Sequence, residues 1–153
     1  MSKGSHFHRL LWDDAEYRPE TSKIKLLADK NIKKVVLCSG KVYYDLFDAR
    51  EELGRNDVYI LRVEQLYPYP DNSMKKELKR FKNAEIVWAQ EEPKNMGAWT
   101  FINPFIEESL IAIKAKHTRP TYVGRPASAS TATGIPSKHK NEQQAIIDGV
   151  FAK

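Results

Sequence analysis

Glu85-Ile86-Val87-Trp88-Ala89-Gln90-Glu91-Glu92-Pro93-Lys94-Asn95-Met96-Gly97-Ala98 is the stretch whose reading decides the fold class of this chain. A buried-type run, Ile86-Val87-Trp88-Ala89, stops at Gln90-Glu91-Glu92, after which Pro93 and Gly97 turn the chain into a helical pattern. A strand hands over to a helix here. In an open α/β sheet the loops at the carboxyl ends of the strands form the crevice where ligands and partners sit.

The same unit recurs on both sides. Upstream, Lys34-Val35-Val36-Leu37-Cys38 ends in Ser39-Gly40, and Val42, Tyr43, Leu46, Phe47, Arg50 and Leu53 then recur at helical spacing, with Gly54 just beyond. Val58 to Val63 reads as a second strand running into Glu64-Gln65-Leu66-Tyr67-Pro68-Tyr69-Pro70, where the prolines forbid further sheet pairing or helix. Asp71, Asn72 or Ser73 is expected to cap the next helix, with Met74, Leu78 and Phe81 on its apolar face. Glu85 to Gln90 is the third strand. The helix after it is expected over about Gly97 to Lys116, with Trp99, Ile102, Ile106, Leu110 and Ile113 on one side and Pro104 as a kink or a later start. Pro120-Thr121-Tyr122-Val123 makes a fourth strand, followed by a small-residue loop from Gly124 to Gly134. A last helix follows Pro136-Ser137, capped by Ser137, with Ala145, Ile146, Val150 and Phe151 turned inward.

Strands alternating with helices across crossovers of this length predict an α/β, largely parallel sheet covered on both faces. Ahead of it, Gly4 to Ile32 reads as an irregular arm. Phe7, Trp12 and Tyr17 stand among its charges, so the arm is expected to pack on some surface, with a short helix from Ser22 to Asp29.

A length of 153 residues, 41% hydrophobic and 29% charged, describes one globular domain rather than two with separate cores. No apolar run approaches the roughly 20 residues that span a bilayer, so no membrane partner is expected. Cys38 has no second cysteine to pair with, and its apolar neighbours mark a small core residue rather than a reactive thiol; this points to a reducing, intracellular compartment. The net charge of +5 invites a nucleic-acid reading. The basic residues, however, alternate with acids, as in Asp48-Ala49-Arg50-Glu51-Glu52, which is the pattern of solvated helix faces; nucleic acid is not an expected partner.

The candidate chemistry sits at the strand ends. Ser39-Gly40-Lys41 marks a strand-to-helix turn where free N–H groups and the helix dipole can hold a phosphate or carboxylate, though the Gly-x-x-x-x-Gly-Lys-Ser/Thr spacing of a P-loop is missing. Arg125, after Gly124, suits a carboxylate or phosphate, including a carboxylate of another element or domain. Glu91 and Glu92 are successive residues of an extended stretch, so their side chains point to opposite sides and do not converge as a general acid and base. With Asn95 they read as interface residues. His6, His8, His117 and His139 lack accompanying metal spacing, and no Gly-x-Ser-x-Gly elbow is present. No catalytic, cofactor-binding or metal residue is therefore assigned.

Four blocks then carry a resemblance: Cys38-Ser39-Gly40-Lys41-Val42-Tyr43-Tyr44-Asp45-Leu46, Arg62-Val63-Glu64-Gln65-Leu66-Tyr67-Pro68, Gln90-Glu91-Glu92-Pro93-Lys94-Asn95-Met96-Gly97-Ala98-Trp99 and Tyr122-Val123-Gly124-Arg125-Pro126-Ala127-Ser128-Ala129-Ser130. In order and spacing they resemble the carboxyl-terminal end of the E1 component of 2-oxoglutarate dehydrogenase, in the transketolase-like superfamily. The resemblance covers about Ile32 to the end, and it divides the chain into a leading arm, 1–31, and a transketolase C-terminal-like domain, 32–153. It implies a three-layer fold with a mixed, mostly parallel sheet. It also implies a parent enzyme that uses thiamin diphosphate and magnesium to decarboxylate 2-oxoglutarate and passes the succinyl group to the lipoyl arm of E2, in the tricarboxylic acid cycle. The implied partners are a second E1 subunit, the E2 dihydrolipoyl succinyltransferase and the upstream E1 domains. The implied place is the bacterial cytoplasm, or the mitochondrial matrix in a eukaryote.

Family chains are several times longer, so this one reads as an excised piece with Met1 added for expression. Alone it is expected to bind no cofactor and to be inactive, its role being dimer assembly, active-site access and regulation. Regulation in the family gives Ser39, Lys41 and Arg125 a nucleotide hypothesis. The competing reading is a stand-alone nucleotide- or anion-binding module on the Ser39-Gly40-Lys41 turn; a third is a small enzyme using Glu91 or Glu92.

Overall fold

A computed structural model describes residues 9–126 and 136–152, with side chains of the last helix described from residue 141. In chain order the elements are β1 (Leu10–Leu11), α1 (Asp14–Tyr17), β2 (Lys34–Cys38), α2 (Val42–Leu53), β3 (Val58–Val63), α3 (Asp71–Leu78), β4 (Glu85–Pro93), α4 (Trp99–Ala112), β5 (Thr121–Arg125) and α5 (Pro136–Val150). The sheet order is β1-β3-β2-β4-β5. All neighbours are parallel except β1, which lies antiparallel to β3 with Leu10 opposite Val63 and Leu11 opposite Arg62. The sheet is thus mixed and mostly parallel, with helices on both faces, as expected.

β2 is buried along its whole length, the mark of a central parallel strand. Val35 and Leu37 join Met74, Leu78, Ile102 and Ile106 under α3 and α4, whereas Val36 and Cys38 join Leu46, Ile146 and Val150 under α2 and α5. Burial pushes the Cys38 thiol up to about 12, so it is a core residue and not a thiolate. The buried Lys34 donates from Nζ to Val150 O at 2.7 Å and Ala152 O at 2.9 Å, satisfying carbonyls at the end of α5 with a positive charge.

Several expectations need correction. Among the described residues the sheet has five strands rather than four, because a two-residue apolar pair, Leu10-Leu11, is too short to show periodicity yet long enough to pair. No helix runs from Ser22 to Asp29; isolated 3₁₀ turns at Pro19–Thr21 and Asp29–Asn31 flank an extended segment. Ser22, Ile24 and Leu26 are half-buried and alternate with exposed Lys23 and Lys25, which is the period of an extended chain. The Ser22 hydroxyl donates within reach of the Glu51 carboxylate, which holds that segment against α2. At α3 the N-cap position falls on Pro70, without a side-chain cap. Asp71 is the first helical residue, and its carboxylate instead accepts from Ser109 and pairs with Lys75 at 2.8 Å. α4 starts at Trp99, ends at Ala112 and continues through Pro104. Ala145 is exposed, while Ile146, Val150 and Phe151 are buried. The loop from Gly124 is described only as far as Pro126, and the Ser137 side chain lies outside the described residues.

Residues 9–31 pack on this same domain. Asp13 is fully buried, where its carboxylate takes both terminal nitrogens of the equally buried Arg50 and accepts from Ile60 N at 2.8 Å and Ala15 N at 2.9 Å. Arg80 reaches up from the end of α3 to Glu16 at 2.6 Å, Asp29 at 2.9 Å and Glu77 at 3.1 Å, with its guanidinium 5.6 Å from the centre of the Trp12 ring.

Candidate functional site

Parallel strands put their carboxyl ends on one edge, and that edge gathers the ends of β2, β4 and β5. β4 is longer than expected. Beyond Ala89 its pairing with β5 slips, then resumes with Pro93 opposite Arg125, and Lys94 N donates to Arg125 O at 3.0 Å. β2 has ended by then, so Pro93 disturbs no ladder on that side.

Gln90 makes the edge rigid. It is 3% exposed, and its Nε2 donates within reach of Glu92 O (3.0 Å), Pro93 O (2.9 Å) and Met96 O (2.8 Å). Its Oε1 accepts from Trp88 Nε1 at 2.9 Å and from Trp99 N at 3.1 Å. The second of these satisfies a free N–H at the start of α4, whose N-cap residue Ala98 supplies no side chain for it. One buried amide therefore fixes the whole turn from Glu92 to Trp99. Gly97 takes φ +69° there, and a Cβ at that position would lie 3.1 Å from Glu92 Cβ and 3.2 Å from the Gln90 amide, so no other residue fits unstrained. On the β5 side, Tyr122 Oη donates to Arg125 O at 2.5 Å and its ring packs on Trp99 with centroids 5.4 Å apart; burial raises the phenol's pKa, keeping it a donor.

On this frame Glu91 is half-buried and Glu92 exposed, adjacent along the strand, and neither carboxylate has a partner among the described residues. Asn95 is exposed at the tip of the turn. Arg125 is turned toward α5, where it forms an ion pair with Glu142. Ser39, half-buried, and Lys41, exposed, stand at the start of α2 after β2. β4 lies between them and Arg125, which at about 4.8 Å per strand spacing sets the two roughly 10 Å apart. The fold thus joins Glu91, Glu92 and Asn95 with Arg125, and leaves Ser39 and Lys41 as a separate pair.

An aromatic strip adjoins this edge. Phe101 and Phe105 follow Trp99 on α4, and Phe101 lies 6.0 Å from Tyr67 and 5.2 Å from Phe105, which stacks on Tyr69 at 5.2 Å. Tyr67 is 81% exposed. Sequence reasoning passed over these rings, although Phe101 and Phe105 stand four apart on α4 and outside its inward stripe, and Tyr67 and Tyr69 interleave with prolines. Gln90 also had a signal: by the period of a strand it shares the face of Trp88 and so points inward. Among the described residues no group of three or more His, Cys, Asp or Glu is placed to hold a metal ion, and no helix is long and apolar enough to cross a membrane.

A family profile described as 2-oxoglutarate dehydrogenase C-terminal matches residues 1–151. Proteins named 2-oxoglutarate dehydrogenase E1 component from Brucella anthropi, Brucella ovis and Brucella abortus are each 58% identical to the chain over 148 residues, which is 97% of it. The chain spans about 15% of the length of these relatives. It belongs to the 2-oxoglutarate dehydrogenase C-terminal family.

Proposed function

We propose that this chain acts as the carboxyl-terminal assembly domain of a 2-oxoglutarate dehydrogenase E1 component. The observation that carries this reading is the rigid strand-end edge, a turn locked by Gln90 that offers carboxylates without a partner among the described residues, beside an exposed aromatic strip. A polar, pre-formed rim next to exposed aromatic rings is the composition of a protein–protein contact. Glu91, Glu92 and Asn95 hold domains together here; the preceding E1 domains cover the strip, and a second E1 subunit and the E2 dihydrolipoyl succinyltransferase complete the assembly. Residues 1–31 lead in from the preceding domain and 32–153 form the transketolase C-terminal-like unit.

The decarboxylation of 2-oxoglutarate and succinyl transfer to E2, with thiamin diphosphate and magnesium, belong to the whole enzyme. No residue of this chain is assigned to thiamin diphosphate or magnesium, and no step of that chemistry is assigned to it. The place proposed for such an enzyme is the bacterial cytoplasm, or the mitochondrial matrix of a eukaryote.

The second reading is an anion or nucleotide contact at Ser39 and Lys41. Gly40, at φ +78° with open space around it, leaves the start of α2 accessible to such a ligand. Arg125 serves that contact only by exchanging its Glu142 partner.

The docking edge is tested by sedimentation of this chain with a Brucella E1 component truncated before the matching segment. The wild-type chain is expected to co-sediment with the truncated enzyme. The Glu91→Lys/Glu92→Lys/Asn95→Arg variant is expected to bind about 10-fold more weakly or less, since like charges now face the partner's complementary groups. Equal binding by both chains, or by neither, would contradict the assignment.

A further inference from the structure

α2 and α5 cover the same face of the sheet, and their later halves leave between them a groove of about 460 Å³ that the assembly reading does not use. Every charged residue lining it is acidic: Asp45, Asp48 and Glu52 from α2, and Asp148 from α5. In the sequence these acids stand among bases, as in Asp48-Ala49-Arg50-Glu51-Glu52, and the chain as a whole carries a net charge of +5. Folding separates the signs. Arg50 turns into the core to meet Asp13, whereas Asp48 and Glu52 stay exposed. Asp45 accepts from Gln143 Nε2 at 2.8 Å and Asp148 from Gln144 Nε2 at 2.9 Å, but none of the four carboxylates forms an ion pair among the described residues.

The empty groove works against the domain's own stability. Asp45, Asp48 and Glu52 follow one another at spacings of three and four residues, so like charges face each other along α2. Glu52 lies in the last turn of α2 and Asp148 in the last turn of α5, where the helix dipole favours cations instead. The cations that reach the end of α5, Lys34 and Arg55, are engaged by Glu85 and Asp57 as well as by its carbonyls. Positive charge brought from outside relieves all of this at once. A bare metal ion is a poor match, because no three of these carboxylates converge on one point. They form a rim instead, above an apolar floor on which Ile147 is half-buried and Leu53 is 57% exposed. An acidic rim over an apolar floor between two helices is complementary to a helix that carries lysines or arginines beside an apolar stripe. We propose that this groove docks a basic amphipathic helix of another protein, with its apolar side chains on Leu53 and Ile147 and its cations against the four carboxylates. The inference does not rest on the E1 reading, since the aromatic strip belongs to α4 on the other face of the sheet and neither Glu91 nor Glu92 lines the groove.

The probe is a labelled synthetic helix of about five turns, built of leucine at helical spacing and lysine elsewhere, titrated with the chain and followed by fluorescence anisotropy. Saturable binding is expected at low salt with a Kd of about 0.1 mM or below. A peptide with glutamate in place of lysine is expected not to bind, and one of the same composition with its periodicity scrambled is expected to bind about 10-fold more weakly. The Asp48→Asn/Glu52→Gln variant is expected to lose about 10-fold in affinity while its Tm stays level or rises, because it removes repulsion within α2. A merely structural role for these carboxylates would lower the Tm instead. The charge-matched Glu20→Gln/Glu64→Gln variant, changed at exposed acids away from the groove, is expected to bind as wild type. No saturable binding, equal binding of the scrambled peptide, or equal loss in the charge-matched variant would overturn the proposal. So would two findings that give the groove another occupant: self-association of the chain abolished by Asp48→Asn/Glu52→Gln, which points to a second copy, or loss of co-sedimentation with the truncated Brucella E1 component in that variant, which points to the preceding domains.

Discussion

Arg50→Ala is expected to cost the domain about 3–5 kcal/mol of unfolding free energy, because it strands a buried carboxylate. Asp13 and Arg50 both have fully buried side chains, and the guanidinium engages both oxygens of the carboxylate. In the wild type the charge on Asp13 is spread over that fork and over the Ile60 and Ala15 amides. With alanine at 50 the two amides remain but the compensating charge is gone. In a domain of this size about 4 kcal/mol corresponds to a fall in Tm of roughly 10 °C. Replacing both partners by apolar residues, as in Asp13→Leu/Arg50→Met, removes both charges together and is expected to be far milder than either single change. Urea unfolding followed by circular dichroism reads all of these variants. A loss below about 1 kcal/mol for Arg50→Ala would mean that the pair is not buried as described.

Gln90→Leu is the second large effect. The leucine fits the space but leaves the Trp88 Nε1, the Trp99 amide and the carbonyls of Glu92, Pro93 and Met96 without this partner. Unsatisfied buried groups cost about 1–3 kcal/mol each, and since the turn can open to water, a net loss of about 3 kcal/mol is expected. The loss is also local. The turn from Glu92 to Trp99 loosens, and trypsin is expected to cut after the exposed Lys94 faster than in the wild type, while the cores on the two faces persist. An unchanged cleavage rate together with unchanged stability would contradict the role given to Gln90.

The two effects differ in how far the sequence announces them. β2 and β3 are legible as short, nearly continuous apolar and β-branched runs, and the inward stripe of α4 by its period of 3.6 residues. Gln90 is legible in part: its inward phase follows from Trp88, but nothing local says that its amide is used up on the backbone of the following turn. Asp13 and Arg50 stand 37 residues apart. Asp13 lies in a polar arm, and Arg50 occupies a helical position that passes for apolar only by spacing, so the pair exists through tertiary packing alone. The segment from Ser22 to Leu26 shows the opposite error, since its Ser-Lys-Ile-Lys-Leu alternation already carries the extended period. The site residues divide the same way. Adjacency along β4 places Glu91 beside Glu92, whereas the turn of Arg125 toward Glu142 depends on where α5 returns.

The most direct measurement of the account is carbon dioxide release from 2-oxoglutarate by a Brucella E1 component truncated before the matching segment, supplied with thiamin diphosphate and magnesium, with and without this chain. Neither piece alone is expected to turn over substrate, and the mixture is expected to regain activity that rises with added chain and saturates at equal molar amounts. Turnover by this chain alone, or no recovery when both pieces are folded, would contradict its assignment as the assembly domain of an E1 component.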